Sequence, residues 1–289
     1  MTVSDTAERP AEHALWGVRD GSARVSDTYT GLVATSTSTL FRLDRGYVAV
    51  SGPEASDFLE RMLSNEVVSL EPGSARPALL LTPKGRIIAP LRVVREGPDA
   101  FLLITEAELA EPVASALTRG RFAAKCEVET KLYRGYLQLG PGEGVRNDDY
   151  GVEAYETWAE ADRDAADSNE LEALRIEAGT PAWGKELDEN VLPAEAGLDE
   201  RAISFSKGCY PGQEPIARLH FRGKTNRGLR VLDVGGDAPE PETQIVHEGK
   251  VVGRITSAVD GVALGYVRVE VPASADLDVG GRHATVRPA

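Results

Sequence analysis

Cysteine is nearly absent: 289 residues contain two, Cys126 and Cys209. Two thiols cannot build a disulfide framework, so a reducing, cytoplasmic setting is expected. Histidine is scarce too, with four residues at 13, 220, 247 and 283 that show no ligand spacing. That excludes a resident zinc or iron–sulfur centre, which needs about four ligands. A cysteine or serine triad has no support either, because His220 has no evident third member. No apolar run approaches the roughly 18–20 residues of a membrane-spanning helix, so no membrane partner is expected. Positive charge is the minority, 32 Lys and Arg against 46 Asp and Glu, for a net charge of −14. Such a balance opposes broad attraction to nucleic acid, which is therefore not expected as the main partner. The opening stretch "MTVSDTAERP" is acidic without an apolar core, unlike a secretory signal.

What is present describes a folded protein, 42% apolar and 27% charged, long enough for about two domains. After a flexible lead-in over residues 1–27, "LFRLDRGYVAVSGPEASDFLERMLSNEV" reads as strand, turn and helix. "ARPALLLTPKGRIIAPLRVVREGPDAFLLITE" reads as strands joined by tight turns, and "EAELAEPVASALTRG" as a weak helix interrupted by Pro112. In "AAKCEVET" the alternation suggests a strand with a buried Cys126. Strands and helices joined by short hairpins argue for an α+β core with antiparallel sheets. The core is assigned to residues 28–228, as two subdomains with an inner boundary near 125. Residues 229–289 hold only short strands between glycine pairs and Asp-Gly, which reads as a small β-barrel.

One helix has clear punctuation. In "DSNELEALRIEAGTP", Asp167 can cap the start with Glu170 as its reciprocal partner, and Gly179 with Pro181 ends it. Glu177 falls in the last turn, where the carbonyl end of the helix dipole disfavours an acid. Two readings stay open. Glu177 pairs with a nearby base such as Arg175 or Lys185, or its carboxylate faces a pocket and awaits two donors side by side.

The second cysteine lies in "KGCYPGQE", Lys207–Glu214, within a polar, glycine-bearing stretch. From Arg201 to Arg230 there are seven Lys and Arg and one acid, Glu214, a local +6. Lys207 beside Cys209 would favour the thiolate, the form that attacks or ligates. Whether Cys209 is presented or packed depends on its exposure, and both readings stand at this point.

These pieces, with "RIEAGTPAWGKELDENVLPAEAGL" and "VVGRITSAVDGVALGYV", resemble the YgfZ family of folate-binding proteins. That family is related to the glycine-cleavage T-protein, an aminomethyltransferase. The resemblance runs from about Leu40 to the end, and Lys207–Glu214 is its most specific part. It implies a T-protein-like folate-binding core of antiparallel sheets with helices, a small C-terminal β-barrel and tetrahydrofolate as ligand. It implies Glu177, Arg175, Gln213, Tyr210 and Asn65 at the cofactor and Cys209 with Lys207 as the reactive pair. The basic residues from Arg218 to Arg230 would meet the carboxylates of folate. It also implies a monomeric accessory protein for assembling or maintaining iron–sulfur clusters in client enzymes, tRNA-modifying ones included.

The departures bear on activity. Where T-proteins resemble "GGxIDDL" this chain has "GRIIAPL", so the aspartates become Ala89 and Pro90, which cannot relay a proton. No counterpart of Gly-Tyr-Thr-Gly-Glu appears between Tyr133 and Ser168. Folate-dependent aminomethyl transfer is therefore the disfavoured alternative, and a tRNA-binding scaffold acting through the basic stretch is a second.

Overall fold

The computed structural model describes residues 39–288, and the expected lead-in over residues 1–27 lies outside the described residues. The first strand expected from the sequence is two: β1 (Leu40–Leu43) and β2 (Arg45–Ser51). Asp44 separates them, and each enters a different sheet. β3 (Ala75–Leu81), β4 (Ile87–Gly97), β5 (Ala100–Glu106) and β6 (Glu127–Lys131) join β2 in an antiparallel sheet ordered β3-β4-β5-β2-β6. β7 (Arg134–Leu139), β8 (Val145–Arg146) and β9 (Ala154–Ala159) join β1 in the order β1-β7-β9-β8.

Alternation along β4 decides which side meets the core. Ile87, Ala89, Leu91 and Val93 are buried, while Ile88, Pro90 and Arg92 are half-buried on the other face. The buried face is covered by α1 (Ala55–Met62) and α2 (Ala110–Gly120) through Phe58, Leu59, Val113 and Leu117. Each such side chain contributes about 1.5–3 kcal/mol when removed from water. Pro112 does not interrupt α2. It stands in the first turn, where its missing N–H has no intrahelical acceptor to lose. Cys126 is buried in this same core, and burial pushes its thiol up.

α3 (Asn169–Glu177) starts one residue later than its sequence punctuation suggests. Ser168 precedes it, while the Asp167 carboxylate accepts a hydrogen bond from the Asn169 N–H at 3.2 Å. After the short α4 (Leu198–Ala202), the polar stretch that reads as loop contains α5 (Gln213–Arg222). Its apolar face is thin, Ile216 buried and Leu219 half-buried, which hides the helical period.

The tail is a closed antiparallel barrel of β10 (Arg227–Val234), β11 (Gln244–His247), β12 (Lys250–Val259), β13 (Val262–Arg268), β14 (Asp276–Val279) and β15 (Arg282–Val286). Closure leaves no free edge. Among the described residues no helix is long and apolar enough to cross a membrane.

A buried polar junction ties α3 to the barrel. Arg175 donates from Nε and Nη2 to Glu172 at 2.9 and 2.7 Å, and from Nη1 to the Thr180 carbonyl at 2.6 Å and Glu186 at 2.8 Å. Its remaining hydrogen bond runs to Ser257 Oγ on β12 at 3.0 Å. That uses the full donor set of a guanidinium. Glu186, also buried, accepts from Ser257 Oγ at 2.6 Å, and its carbonyl accepts from Tyr266 Oη on β13 at 2.9 Å.

Burial alone would raise the Glu172 carboxyl, but Arg175 and Lys185 outweigh it and hold the group down at about 2 against an ordinary 4.5. A depressed carboxyl contributes stability that is full above the unfolded value and lost as pH falls toward the folded one. Glu172→Gln should therefore lower the melting temperature at neutral pH, and the gap to wild type should begin to shrink near about pH 5 and close only as pH falls through about 2. Thermal melts across that range check it, and a constant gap would remove the ion pair from the account.

Candidate functional site

α3 ends where the sequence places its stop. Gly179 adopts φ +71, its N–H donates to the Ile176 carbonyl at 3.0 Å, and the Thr180 N–H donates to the Arg175 carbonyl at 3.1 Å. Glu177 is left half-buried in the last turn, and its carboxylate has no hydrogen bond or ion pair among the described residues. Both bases that the sequence offers as partners go elsewhere, since Arg175 and Lys185 bind Glu172 at 2.7 and 2.8 Å. The charges that Glu177 feels belong to the barrel. Burial pushes its carboxyl above the ordinary range, Arg287 pulls it back, and Asp233 adds to the rise. Arg287 and Asp233 are themselves paired at 2.6 Å.

The loop after β8 is pressed on this helix end, because a β-carbon at Gly151 would lie 3.1 Å from the Ala178 side chain. Two residues earlier stands Asp149, which accepts from Arg92 Nη2 at 2.6 Å and Arg201 Nη2 at 3.2 Å. Burial would raise the Asp149 carboxyl, but Arg92, Arg201 and Arg45 together hold it below its ordinary value. Behind it the fully buried Glu156 lies 3.5 Å from both Arg92 and Arg45 and accepts from Asn147 Nδ2 at 2.8 Å. Arg92 projects from the β4 face that also carries Pro90, while Ala89 faces the buried core, so the seam of charge shares a face with only the second of those two positions. Arg201 also donates to Thr180 Oγ1 at 3.4 Å, joining the seam to the end of α3.

From Arg201 the chain of contacts continues to the thiol loop. Asn65 Nδ2 donates to the Pro77 carbonyl at 2.9 Å and to the Arg201 carbonyl at 3.5 Å, and its Oδ1 accepts from the Glu66 N–H at 2.9 Å. The Asn65 carbonyl accepts from Lys207 Nζ at 2.7 Å, as do those of Glu60 and Leu63 at 2.7 and 2.9 Å. Lys207 is thus a buried cation capping the carbonyl end of α1, with Glu60 Oε1 at 3.4 Å. Burial lowers its ammonium from the ordinary value and Glu60 partly restores it. Its N–H groups are spent on the carbonyls of Glu60, Leu63 and Asn65 and none is left for the thiol, so Lys207 positions the loop.

Cys209 is exposed, which answers the question its sequence context leaves open. Tyr210, its neighbour, is a core residue packed with Ile87, Leu187, Ile216 and Tyr266. Burial pushes its hydroxyl up to about 12, and the hydroxyl has no hydrogen-bond partner among the described residues. Gly212 makes the turn into α5 at φ +86, where a β-carbon would stand 2.5 Å from the Thr82 carbonyl. The loop is therefore seated on the β3–β4 hairpin. Gln213 is half-buried as the first residue of α5, and its side-chain amide makes no hydrogen bond among the described residues.

The structure thus gathers Asn65, Lys207 and Tyr210 into one packed unit and gives Arg175 a structural task at the barrel. A hydrogen-bonded polar wall runs from Thr180 at the end of α3 through Arg201 and Asn65 to Lys207, with Glu177 three residues before one terminus in sequence and Cys209 two residues after the other. No contact joins those two side chains among the described residues. Of the basic stretch, Arg227 pairs with Glu195 at 3.1 Å and Arg230 donates to the Val271 carbonyl at 3.0 Å. Sequence reasoning misses Asp149, Arg92 and Glu156. The one signal, for Asp149 alone, is the "RNDDY" run over residues 146–150 in a stretch otherwise without a motif.

Lys207→Met would leave the Glu60, Leu63 and Asn65 carbonyls without their donor and should cost about 3 kcal/mol of stability. Cys209→Ser, at an exposed position, should stay within about 0.5 kcal/mol of wild type. Denaturant titration of both variants decides, and equal stability would reject the capping role.

Comparison with known proteins places this geometry. Residues 43–139 match the family described as GCVT N-terminal domain, and residues 226–289 match the CAF17 C-terminal beta-barrel domain. An uncharacterized protein of Haemophilus influenzae is 26% identical over 231 residues, 74% of this chain and 82% of that protein. An aminomethyltransferase of Desulforamulus reducens is 25% identical over 304 aligned residues, 83% of each chain. The crystal structure of glycine cleavage system aminomethyltransferase T from Bartonella henselae superposes with a TM-score of 0.75 at 21% identity. It covers 86% of this chain and 85% of that one, and so shares the fold. A match to the GCVT N-terminal domain followed by one to the CAF17 C-terminal beta-barrel domain makes this chain a YgfZ/CAF17-type relative of the aminomethyltransferases.

Proposed function

We propose that the protein binds tetrahydrofolate and serves as an accessory factor for assembling or maintaining iron–sulfur clusters in client enzymes, tRNA-modifying enzymes among them. The observation that carries the ligand half is the uncommitted, half-buried carboxylate of Glu177 at the end of α3. A pterin edge offers an exocyclic amine and a ring N–H side by side, and one carboxylate accepts both while fixing orientation. Lining the same wall, Arg201 and Arg92 keep Asp149 anionic and in place. The cluster half is supported by the resemblance of Lys207–Glu214 to the YgfZ family and by the exposure of Cys209. In this reading the cluster is the client's, carried as cargo.

Aminomethyl transfer is the second reading, favoured by similarity to aminomethyltransferases over most of the chain. Ala89 and Pro90 offer no proton acceptor, and Asp149, bound to β4 through Arg92, is held as an anion by Arg92 and Arg201, which makes it a poor base.

Calorimetric titration with tetrahydrofolate should show saturable binding that Glu177→Gln weakens by about ten-fold or more, the loss of a charge-assisted pair. Binding should also fall as Glu177 takes up a proton above the ordinary carboxylate range. Absent binding, or a variant that binds as well as wild type, would remove the pterin reading. In a strain lacking the protein, Cys209→Ser should fail to restore client activity while Cys126→Ser restores it. Equal rescue by both would reduce Cys209 to a surface residue.

A further inference from the structure

The outward face of α5 is not used by anything described so far. Along one stripe of the helix Glu214, Arg218, Phe221 and Arg222 are exposed, and Lys224 follows just past its end. Phe221 is 69% exposed, rare for a large apolar side chain. It meets a small aromatic stack: His220 lies parallel on Phe205 with ring centroids 3.9 Å apart, and Phe221 packs edge-on to both at 4.9 and 5.9 Å. Beside His220 a cleft opens between α5, α4 and the β3–β4 hairpin. Leu192, Pro193, Pro215, Ile216 and Leu219 line it, with Lys84 at its edge.

The charge on this face is equally unusual. Arg218, Arg222, Lys224 and Lys84 are all exposed and have no acid partner among the described residues, in a chain with a net charge of −14. Acids also stand nearby, with Asp199 3.7 Å from His220 and Glu214 one turn before Arg218. Unpaired cations in an acidic protein, beside exposed aromatic and apolar surface, complement a ligand that is acidic and also carries an apolar anchor.

We infer that the outer face of α5 and its adjoining cleft form a docking surface for an acidic segment of a partner protein, anchored by a large apolar side chain. This inference stands apart from the folate reading and does not depend on it. An RNA is disfavoured because one exposed Phe makes no stacking platform and the protein as a whole repels polyanions. The surface adjoins the exposed Cys209 through the turn at Gly212, so a docked partner would lie beside the thiol.

The test uses a fluorescein-labelled peptide of Asp and Glu flanking a central Leu-Phe pair, read by fluorescence anisotropy with the full-length protein. Binding is expected, weakening several-fold as salt rises from about 50 to about 200 mM. The triple substitution Arg218→Glu, Arg222→Glu, Lys224→Glu should abolish it, and Phe221→Ser should weaken it by about ten-fold, which is 1.4 kcal/mol. Unchanged melting temperatures will confirm folding, with the corresponding triple Gln variant as a second, milder charge test. Any of four results would overturn the inference: no binding; binding that survives the charge reversal; equal binding of the peptide with Leu-Phe replaced by Ser, the mark of a bare polycarboxylate site; or preferential binding of tRNA to the same face. Sedimentation at rising concentration closes the remaining route, since a dimer lost in the triple variant would make the occupant a second copy of this chain. Tetrahydrofolate titration of Phe221→Ser should be unaffected.

Discussion

A buried carboxylate that must have a cation is the constraint on which this molecule turns. Glu186 is sealed between the segment after α3 and the barrel, and an ion so placed is tolerated only when its lone pairs are met. Arg175, Ser257 and the Ala182 N–H meet them. Because Arg175 belongs to α3 and Ser257 to β12, satisfying Glu186 fixes the helix against the barrel. The end of α3, and with it Glu177, inherits that position. The network costs desolvation on both sides, and its return is a fixed geometry rather than net stability.

The same logic repeats along the polar wall. Asp149 is shared by arginines from β4 and α4, so the loop after β8 cannot shift without leaving charges unpaired. Lys207 is held by carbonyls at the end of α1, which anchors a loop that would otherwise be free. In each case a cation is consumed in holding a buried carboxylate or backbone in place. The groups left uncommitted, Glu177, Cys209 and the outer face of α5, are then the ones able to act on something else. A residue with every hydrogen bond satisfied is architecture; a carboxylate or thiol without partners in a polar setting is available.

Much of the architecture is legible in the order of residues. The α+β core follows from short alternating strands and tight turns, and the barrel from strands punctuated by glycine, because side-chain period and turn chemistry are local properties. The stop of α3 at Gly179 is legible for the same reason. Pro112 and α5 are not. A proline is harmless or disruptive according to its place in the first turn, and a helix with a thin apolar stripe gives almost no periodic signal.

The sequence alone determined the kinship, the barrel, the burial of Cys126 and the placing of an acid at a helix end. Tertiary structure decided what each polar group does there. Arg175 and Lys185, the near neighbours of Glu177, turn to Glu172, while the charges Glu177 does feel come from Asp233 and Arg287, more than fifty positions downstream. Lys207 and Cys209 are two residues apart, yet one is buried as a cap and the other lies in solvent. Neighbours in sequence share a backbone but not a dielectric. Burial and partnership arise only when distant segments close around a group, and they set whether a charge supports the fold or is free for chemistry.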